Sequence, residues 1–434
     1  MNPVQERWPQ PIRKVLKTLM QAGFEAYLVG GCVRDSLRQT SVHDYDIATN
    51  AHPGTVRTLF EQTIPTGIRH GTITVLLDGM AVEVTTYRRE TGYSDGRRPD
   101  IVTFDATLLE DLSRRDFTIN AMAMGLDGNL IDPYHGQQDL THKVIRAVGN
   151  PKERFAEDGL RMIRAIRFAS VMQFHIETDT LNAMEAMSHN LQSVALERIG
   201  QEFLRITGSA WWYVSPLLAN GPWLEVLPEP WPKLKSGFSV IAKSRARQAR
   251  LGMVWGGISH NGKAEEWELQ AASAALLCFL AKLEDEQVRH WLLRMAWTQQ
   301  RRNLTMKILS HLCEDPLSWT LFQWRKAFFN TGRNAVYLAS ALLDDLDYAL
   351  GDSFAMTTSR RIHQYNQLVH EQPIWHMGQL DISGVELLKL EAAGPAVGET
   401  LRYLVEQVLA ELVPNSRDPL LALAKTKLME LNRK

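Results

Sequence analysis

The sequence predicts an α+β protein, a small mixed sheet near the N-terminus followed by an all-α remainder. Three observations carry that expectation. Short apolar runs with period-two alternation fall before residue 90, among them Ile73–Leu77 and Met80–Tyr87 on either side of Asp78-Gly79, a dipeptide suited to a tight hairpin. Beyond Ala195 the apolar spacing is helical, broken by Pro- or Gly-rich turns near 214–238, 255–262, 351–358 and 391–398. At 434 residues the chain is too long for one ordinary core and suggests two to four domains.

Composition narrows the class of protein. An apolar content of 45% with 22% charged residues fits a soluble globular chain rather than a disordered or fibrous one. The formal net charge is −1, so any nucleic-acid surface has to be a local patch. Cys32, Cys278 and Cys313 are far apart and form no C-x-x-C, which argues against a disulfide framework or structural zinc and fits a reducing cytosol. The apolar run Ala271–Ala281 is too short to span a bilayer, and the first residues lack the apolar core of a signal peptide. The expectation is a cytoplasmic protein with no membrane association and no evident protein partner.

In chain order, residues 11–22 carry Ile12, Val15, Leu16, Leu19 and Met20 at helical spacing, an amphipathic helix to pack beneath the first strand. Tyr27–Val29 reads as that strand, Gly30-Gly31 as a turn, Val33 as the opening of a short helix, and Asp44 and Asp46 as parts of a second strand. Strand residues two apart share a face about 6.6 Å apart. Two carboxylates so placed repel each other unless a cation intervenes, and oxygen-only ligands suit a hard divalent ion such as Mg²⁺. Backbone N–H groups after the glycines, with Arg34 beside them, offer an anion cradle. A metal-dependent transferase is the first hypothesis; a solvated acidic strand is the bland alternative.

Pro53–Phe60 follows as a helix with Pro in its first turn, and then the hairpin, whose second strand carries Glu83. Residues 88–104 lack apolar periodicity and read as a loop. Arg114, Arg115 and Asp116 precede an apolar helical run through Ala123; capping accounts for Asp116 but not for two arginines. Asp132–Leu140 is turn-rich and reads as support for a junction. Lys152–Val171 reads as one helix with Glu157, Asp158, Arg161, Arg164 and Arg167 on a stripe. Asp158 with Arg161 fits an intrahelical ion pair, whereas Arg164 and Arg167 have apolar neighbours four residues before and after and are expected to await an anion. Basic clusters at Lys243–Arg250, Arg301–Lys307 and Arg360–Arg361 are candidate RNA phosphate contacts or plain solvated faces.

The string G-G-x-V-R-D-x-L at Gly30–Leu37 followed by D-x-D-x-x-T at Asp44–Thr49 resembles the signature of class II tRNA nucleotidyltransferases and the related bacterial poly(A) polymerases, within the DNA polymerase β superfamily. R-R-D-F-T-x-N-A from Arg114, the turn at Asp132, E-D-x-x-R from Glu157 and E-R-I-x-x-E from Glu197 resemble the later motifs in order. The resemblance implies a polymerase-β-like catalytic head (1–147) with a helical neck (148–205), body (206–310) and tail (311–434). It implies addition of C, C and A to the tRNA 3′ end from CTP and ATP with Mg²⁺, releasing pyrophosphate, the tail holding the acceptor arm.

Residue by residue, it implies metal ligation by Asp44 and Asp46, with Glu83 completing the catalytic carboxylates. Gly30, Gly31, Arg34, Arg164 and Arg167 are expected to hold the triphosphate, and Arg114, Arg115 and Asp116 the ribose and nucleotide. Asp158 and Arg161, with Glu157 beside them, are expected to read the base edge. Cytosine and adenine both present an exocyclic amine beside a ring-nitrogen acceptor, whereas guanine and uracil present a carbonyl there. Glu197 and Arg198 are expected to brace the neck, and loop residues Arg89, Glu90 and Asp95 to act on the neck helix. A poly(A) polymerase, a CC- or A-adding specialist, and an RNA-binding scaffold with an inactive head are the alternatives.

Overall fold

The computed structural model describes residues 8–92, 101–245, 248–249, 251–253, 255, 264–314, 319–350, 358–390 and 394–431. The chain forms two compact units, residues 1–232 and 233–434. In the first unit α1 (Gln10–Gln21) precedes β1 (Ala26–Val29), α2 (Gly31–Leu37), β2 (Asp46–Thr49) and α3 (Pro53–Leu59). β3 (Thr63–Gly67), β4 (Thr72–Leu77), β5 (Met80–Thr86), β6 (Arg89–Thr91) and β7 (Ile101–Thr103) follow. Next come α4 (Leu108–Ser113), β8 (Ala123–Met124), β9 (Leu130–Ile131) and α5 (Gly136–His142). The seven-stranded sheet runs β3-β4-β5-β2-β1-β8-β9. It is mixed, because β2 pairs parallel to β5 while the other neighbours are antiparallel.

Side-chain alternation gives the sheet two apolar faces. Leu28, Ile47, Val82 and Val84 pack with Ile12, Val15, Leu16 and Leu19 of α1, and Val29 and Ala48 pack with Leu108 and Leu112 of α4. Each of those large aliphatic side chains contributes roughly 1.5–3 kcal/mol by leaving water. Asp78 and Gly79 both take positive φ, 51° and 79°, so the expected two-residue hairpin forms.

Two expectations fail locally. The helical run after Asp116 is a 3₁₀ turn, Thr118–Asn120, running into the short strand β8, because Thr118 N–H bonds to the Arg146 carbonyl and β8 pairs with β1. The predicted loop at 88–104 is an antiparallel ribbon at its base, β6 against β7.

The remainder of this unit is helical apart from β10 (Val144–Ile145), which pairs parallel with β11 (His175–Ile176). Its helices include α6 (Pro151–Glu157), α7 (Leu160–Met172), α8 (Thr178–Ala186) and α9 (Leu196–Thr207). Arg146 reaches Asp139 of α5 at 3.1 Å and Glu177 at 3.1 Å, so the turn-rich segment does support a junction. The helix expected over 152–171 breaks at Asp158, whose backbone is extended at φ −151°. Just after the break Gly159 packs against the Asn190 backbone, where a Cβ would lie 2.7 Å from the Asn190 carbonyl oxygen, so the position admits only glycine.

Every element described beyond residue 232 is helical. The apolar run Ala271–Ala281 belongs largely to the buried helix Glu266–Leu280, and the helices from Gly394 and Arg417 share a separate apolar cluster around Leu404, Val408 and Leu420. Among the described residues no helix is long and apolar enough to cross a membrane. Lys307 is engaged by the Thr331 carbonyl and Arg301 lies over the Trp297 ring. The 243–250 cluster lies partly, and the side chains of Arg360 and Arg361 wholly, outside the described residues.

Candidate active site

β1 ends at a glycine that the site demands. Gly30 has φ +74°, and a Cβ there would stand 2.9 Å from Arg115 Nη1 and 3.7 Å from Asp46 Oδ2. The backbone of the turn therefore borders the space where Asp46 and Arg115 meet. Asp46 opens β2, and Asp44 precedes the strand rather than lying in it, a correction to the two-residue strand reading. The parallel register sets Asp46 directly opposite Glu83 on β5. Burial, then the Glu83 carboxylate, push the Asp46 carboxyl up to about 6 against the pull of Arg115, with Asp44 adding to the rise. Glu83 is thus the stronger repulsive neighbour.

Oxygen donors under mutual repulsion fit a hard divalent cation, which would relieve it. Among the described residues no group of three His, Cys, Asp or Glu side chains is already gathered closely enough to enclose an ion. The carboxylates form an open edge rather than a cage.

Next to them the R-R-D cluster is held by fixed partners. Buried Asp111 accepts from Arg114 and, at 3.3 Å, from Arg115. Asp116 accepts from the Phe117 N–H at 2.9 Å, from Asn120 Nδ2 at 3.2 Å and from Arg164 at 2.6 and 2.8 Å. Burial pushes the Asp116 carboxyl up, but the Arg164 guanidinium and these hydrogen bonds outweigh it and hold it at about 2. Arg164 and Arg167 are therefore paired within the protein rather than unpaired as their spacing suggested. Arg167 Nε lies 2.7 Å from Glu202 Oε2, and Arg164 Nη1 lies 3.8 Å from Glu202 Oε1. The Arg167 N–H is not aimed along its contact, so that pair is a close charge contact without an aligned hydrogen bond. Arg34 is similarly engaged, by Asp35 at 2.7 Å and by Asn120 Oδ1 at 2.7 Å.

The E-D-x-x-R residues also pair differently from the intrahelical expectation. Arg161 pairs with Glu157 and donates to the carbonyls of Arg154 and Arg114. Asp158 accepts the Leu160 N–H at 3.0 Å and pairs with Arg198 at 2.7 Å. The helix break turns Asp158 out of the stripe and toward α9. Arg198 does brace the neck as expected, whereas Glu197 stands exposed in the first turn of α9.

In the ribbon, Arg89 pairs with Glu110, and Glu90 pairs with Arg88 and Arg114. These contacts tie the ribbon to α4 and to the R-R-D cluster. Asp95 lies outside the described residues.

These groups line one cavity of about 700 Å³. Asp44, Asp46 and Glu83 line it, as do Gly30, Gly31 and Arg34, and Arg114, Arg115 and Asp116. From the neck side Asp158, Arg161, Arg164 and Arg167 complete it. Arg88, Asn120, Phe168, Arg198 and Arg205 also line it and escaped the sequence reading as cavity residues. Asn120 lay within the R-R-D-F-T-x-N-A string, and Arg198 and Arg205 carried a signal in standing seven residues apart on one helical face.

Residues 26–146 match the poly A polymerase head domain model, and residues 266–424 match the tRNA nucleotidyltransferase domain 2 model. A CCA-adding enzyme of Levilactobacillus brevis is 38% identical over 423 residues, covering 94% of this chain and 96% of the relative. The chain belongs to the CCA-adding enzyme family. A second family member, from Ligilactobacillus salivarius, is 34% identical and covers 98% of both chains. The crystal structure of the Bacillus stearothermophilus CCA-adding enzyme in complex with CTP superposes with a TM-score of 0.79 at 29% identity, covering 100% of this chain and 98% of that one. These CCA-adding enzymes thus match it over nearly its whole length, and the cavity lies between the sheet edge and helices α7 and α9.

Proposed function

We propose that this cavity adds C, C and A to the 3′ end of tRNA from CTP and ATP, without a template. The observation that carries the residue assignment is the meeting, in one cavity, of an acidic edge from the sheet with an Asp/Arg pair from the neck. Asp44, Asp46 and Glu83 would hold the divalent ions, Mg²⁺ by the hardness of their oxygens. Such ions, when bound, lower the pKa of the RNA 3′-hydroxyl and neutralise charge on the departing pyrophosphate. The chain supplies positioning. Gly30-Gly31 and the guanidinium groups of Arg34, Arg164 and Arg167 face the triphosphate, and Arg114, Arg115 and Asp116 face the ribose.

Base choice falls to Asp158 and Arg161. A carboxylate has roughly four acceptor positions, and Asp158 uses three toward Leu160 and Arg198, leaving one for an exocyclic amine. Arg161 retains free N–H groups beyond those given to Glu157, Arg154 and Arg114. A uracil or guanine carbonyl opposite Asp158 would face a carboxylate in a largely desolvated pocket, a penalty of about 1–3 kcal/mol. The four-part division into head, neck, body and tail, the tail's hold on the tRNA acceptor arm, and a cytoplasmic location belong to the same reading. Dispersed cysteines, unpaired where described, support the last.

The test is incubation of tRNA lacking its last three nucleotides with labelled CTP and ATP, with sequencing of the product ends. The reading requires C-C-A and then arrest. A product stopping at C-C assigns a CC-adding specialist, and continued A addition to tRNA already ending in C-C-A assigns a poly(A) polymerase.

A further inference from the structure

The cavity has a direction set by α7 and α9, which pack along each other. At one end Asp158 meets Arg198; one turn on, Glu202 meets Arg164 and Arg167; the next position on that face of α9 is Arg205. The Phe168 ring marks the same end, with the guanidinium carbons of Arg167, Arg34 and Arg164 at 4.0, 5.3 and 5.6 Å from its centroid. The cavity therefore grades from a base-reading end to a cationic end near the glycine turn.

Charge at that cationic end is nearly balanced by the protein itself. Arg34 is paired with Asp35, Arg164 with Asp116 and Arg167 with Glu202. Arg205 is the exception. It is exposed, lines the cavity, and has no described carboxylate within ion-pair distance. An uncompensated guanidinium beside three compensated ones is where added negative charge is most favoured, and it can move without breaking a contact.

We propose that Arg205 is a phosphate anchor, engaging the outer phosphates of the incoming nucleotide and the pyrophosphate they become. This rests on the functional reading above, since it assumes a nucleoside triphosphate in the cavity. Its position beyond Arg167, away from Asp158, assigns it the β and γ phosphates and not the base or the α-phosphate.

The experiment compares CTP and CMP affinities of the full chain and of Arg205→Ala and Arg205→Lys, without tRNA, together with inhibition of CCA addition by inorganic pyrophosphate. Arg205→Ala should weaken CTP about tenfold, the scale of one charge-assisted contact, weaken pyrophosphate inhibition similarly, and leave CMP affinity unchanged. Arg205→Lys should restore most of the loss. Unchanged CTP affinity overturns the proposal, as does equal weakening of CTP and CMP, or a loss confined to tRNA affinity. Failure of the unaltered chain to bind CTP would instead overturn the functional reading itself.

Discussion

At the scale of single residues, the strongest statement concerns Asp46. Its folded pKa of about 6 lies above the ordinary 3.8, so its contribution to stability is full below 3.8 and is lost as pH rises through 6. Asp46→Asn should therefore raise the melting temperature in chelator at pH 7.5, and, assayed separately with Mg²⁺, should abolish nucleotide addition. With on the order of 2 kcal/mol relieved, the rise is roughly 4–8 °C; a fall in melting temperature contradicts the repulsion described for Asp46 and Glu83. His311 gives the opposite pH dependence. Burial, helped by Lys307, pushes this imidazole down to about 4 from 6.5, and the Thr331 hydroxyl, which donates its proton to the Ala327 carbonyl, accepts a hydrogen bond from the Nε2–H. Its stabilisation is present above pH 6.5 and lost toward pH 4. Urea unfolding at pH 7.5 and 4.5 should show wild type losing on the order of 2 kcal/mol more than His311→Gln, and equal losses contradict the buried neutral ring. Sequence reading found the acidic residues but misjudged Arg164 and Arg167. Spacing along a helix reveals only neighbours three or four residues away, and their carboxylates, Asp116 and Glu202, come from other elements.

At the scale of elements, the break between α6 and α7 is the feature the sequence concealed. Apolar periodicity continues across Gly159, so the spacing alone announces no stop there. Gly159→Ala should shift that break, lower the melting temperature, and reduce discrimination between CTP and UTP by freeing Asp158 from Arg198. Retained discrimination in a folded variant would separate base choice from the Asp158–Arg198 contact. The hairpin at Asp78-Gly79, by contrast, was legible because both positions need positive φ and the residues permit it. The β6–β7 ribbon was hidden because its strands are only three residues long and β6, Arg89–Thr91, is polar, leaving no alternating core pattern. Replacing residues 93–100 with a short Gly-Ser link keeps the ribbon, and with it the Glu90–Arg114 pair. Sequencing of products should then show C-C ends accumulating without the final A, and equal loss of all three additions would reduce the segment to a structural connection.

At the scale of the whole molecule, the α+β class was readable from pattern: the seven-stranded sheet lies before residue 150 and, β11 apart, the elements described after it are helical. Assembly of the cavity was not, because it depends on where α7 and α9 meet the sheet edge, a matter of tertiary packing. The central claim is that one cavity holds both the acidic edge for chemistry and the pair that chooses the nucleotide. Single-turnover incorporation of CTP, UTP, ATP and GTP onto tRNA lacking its last three nucleotides, by Asp158→Ala beside the unaltered chain, tests that claim most directly. The account predicts that the variant still incorporates nucleotides while its preference for CTP over UTP falls about tenfold or more; incorporation ratios equal to those of the unaltered chain would contradict it.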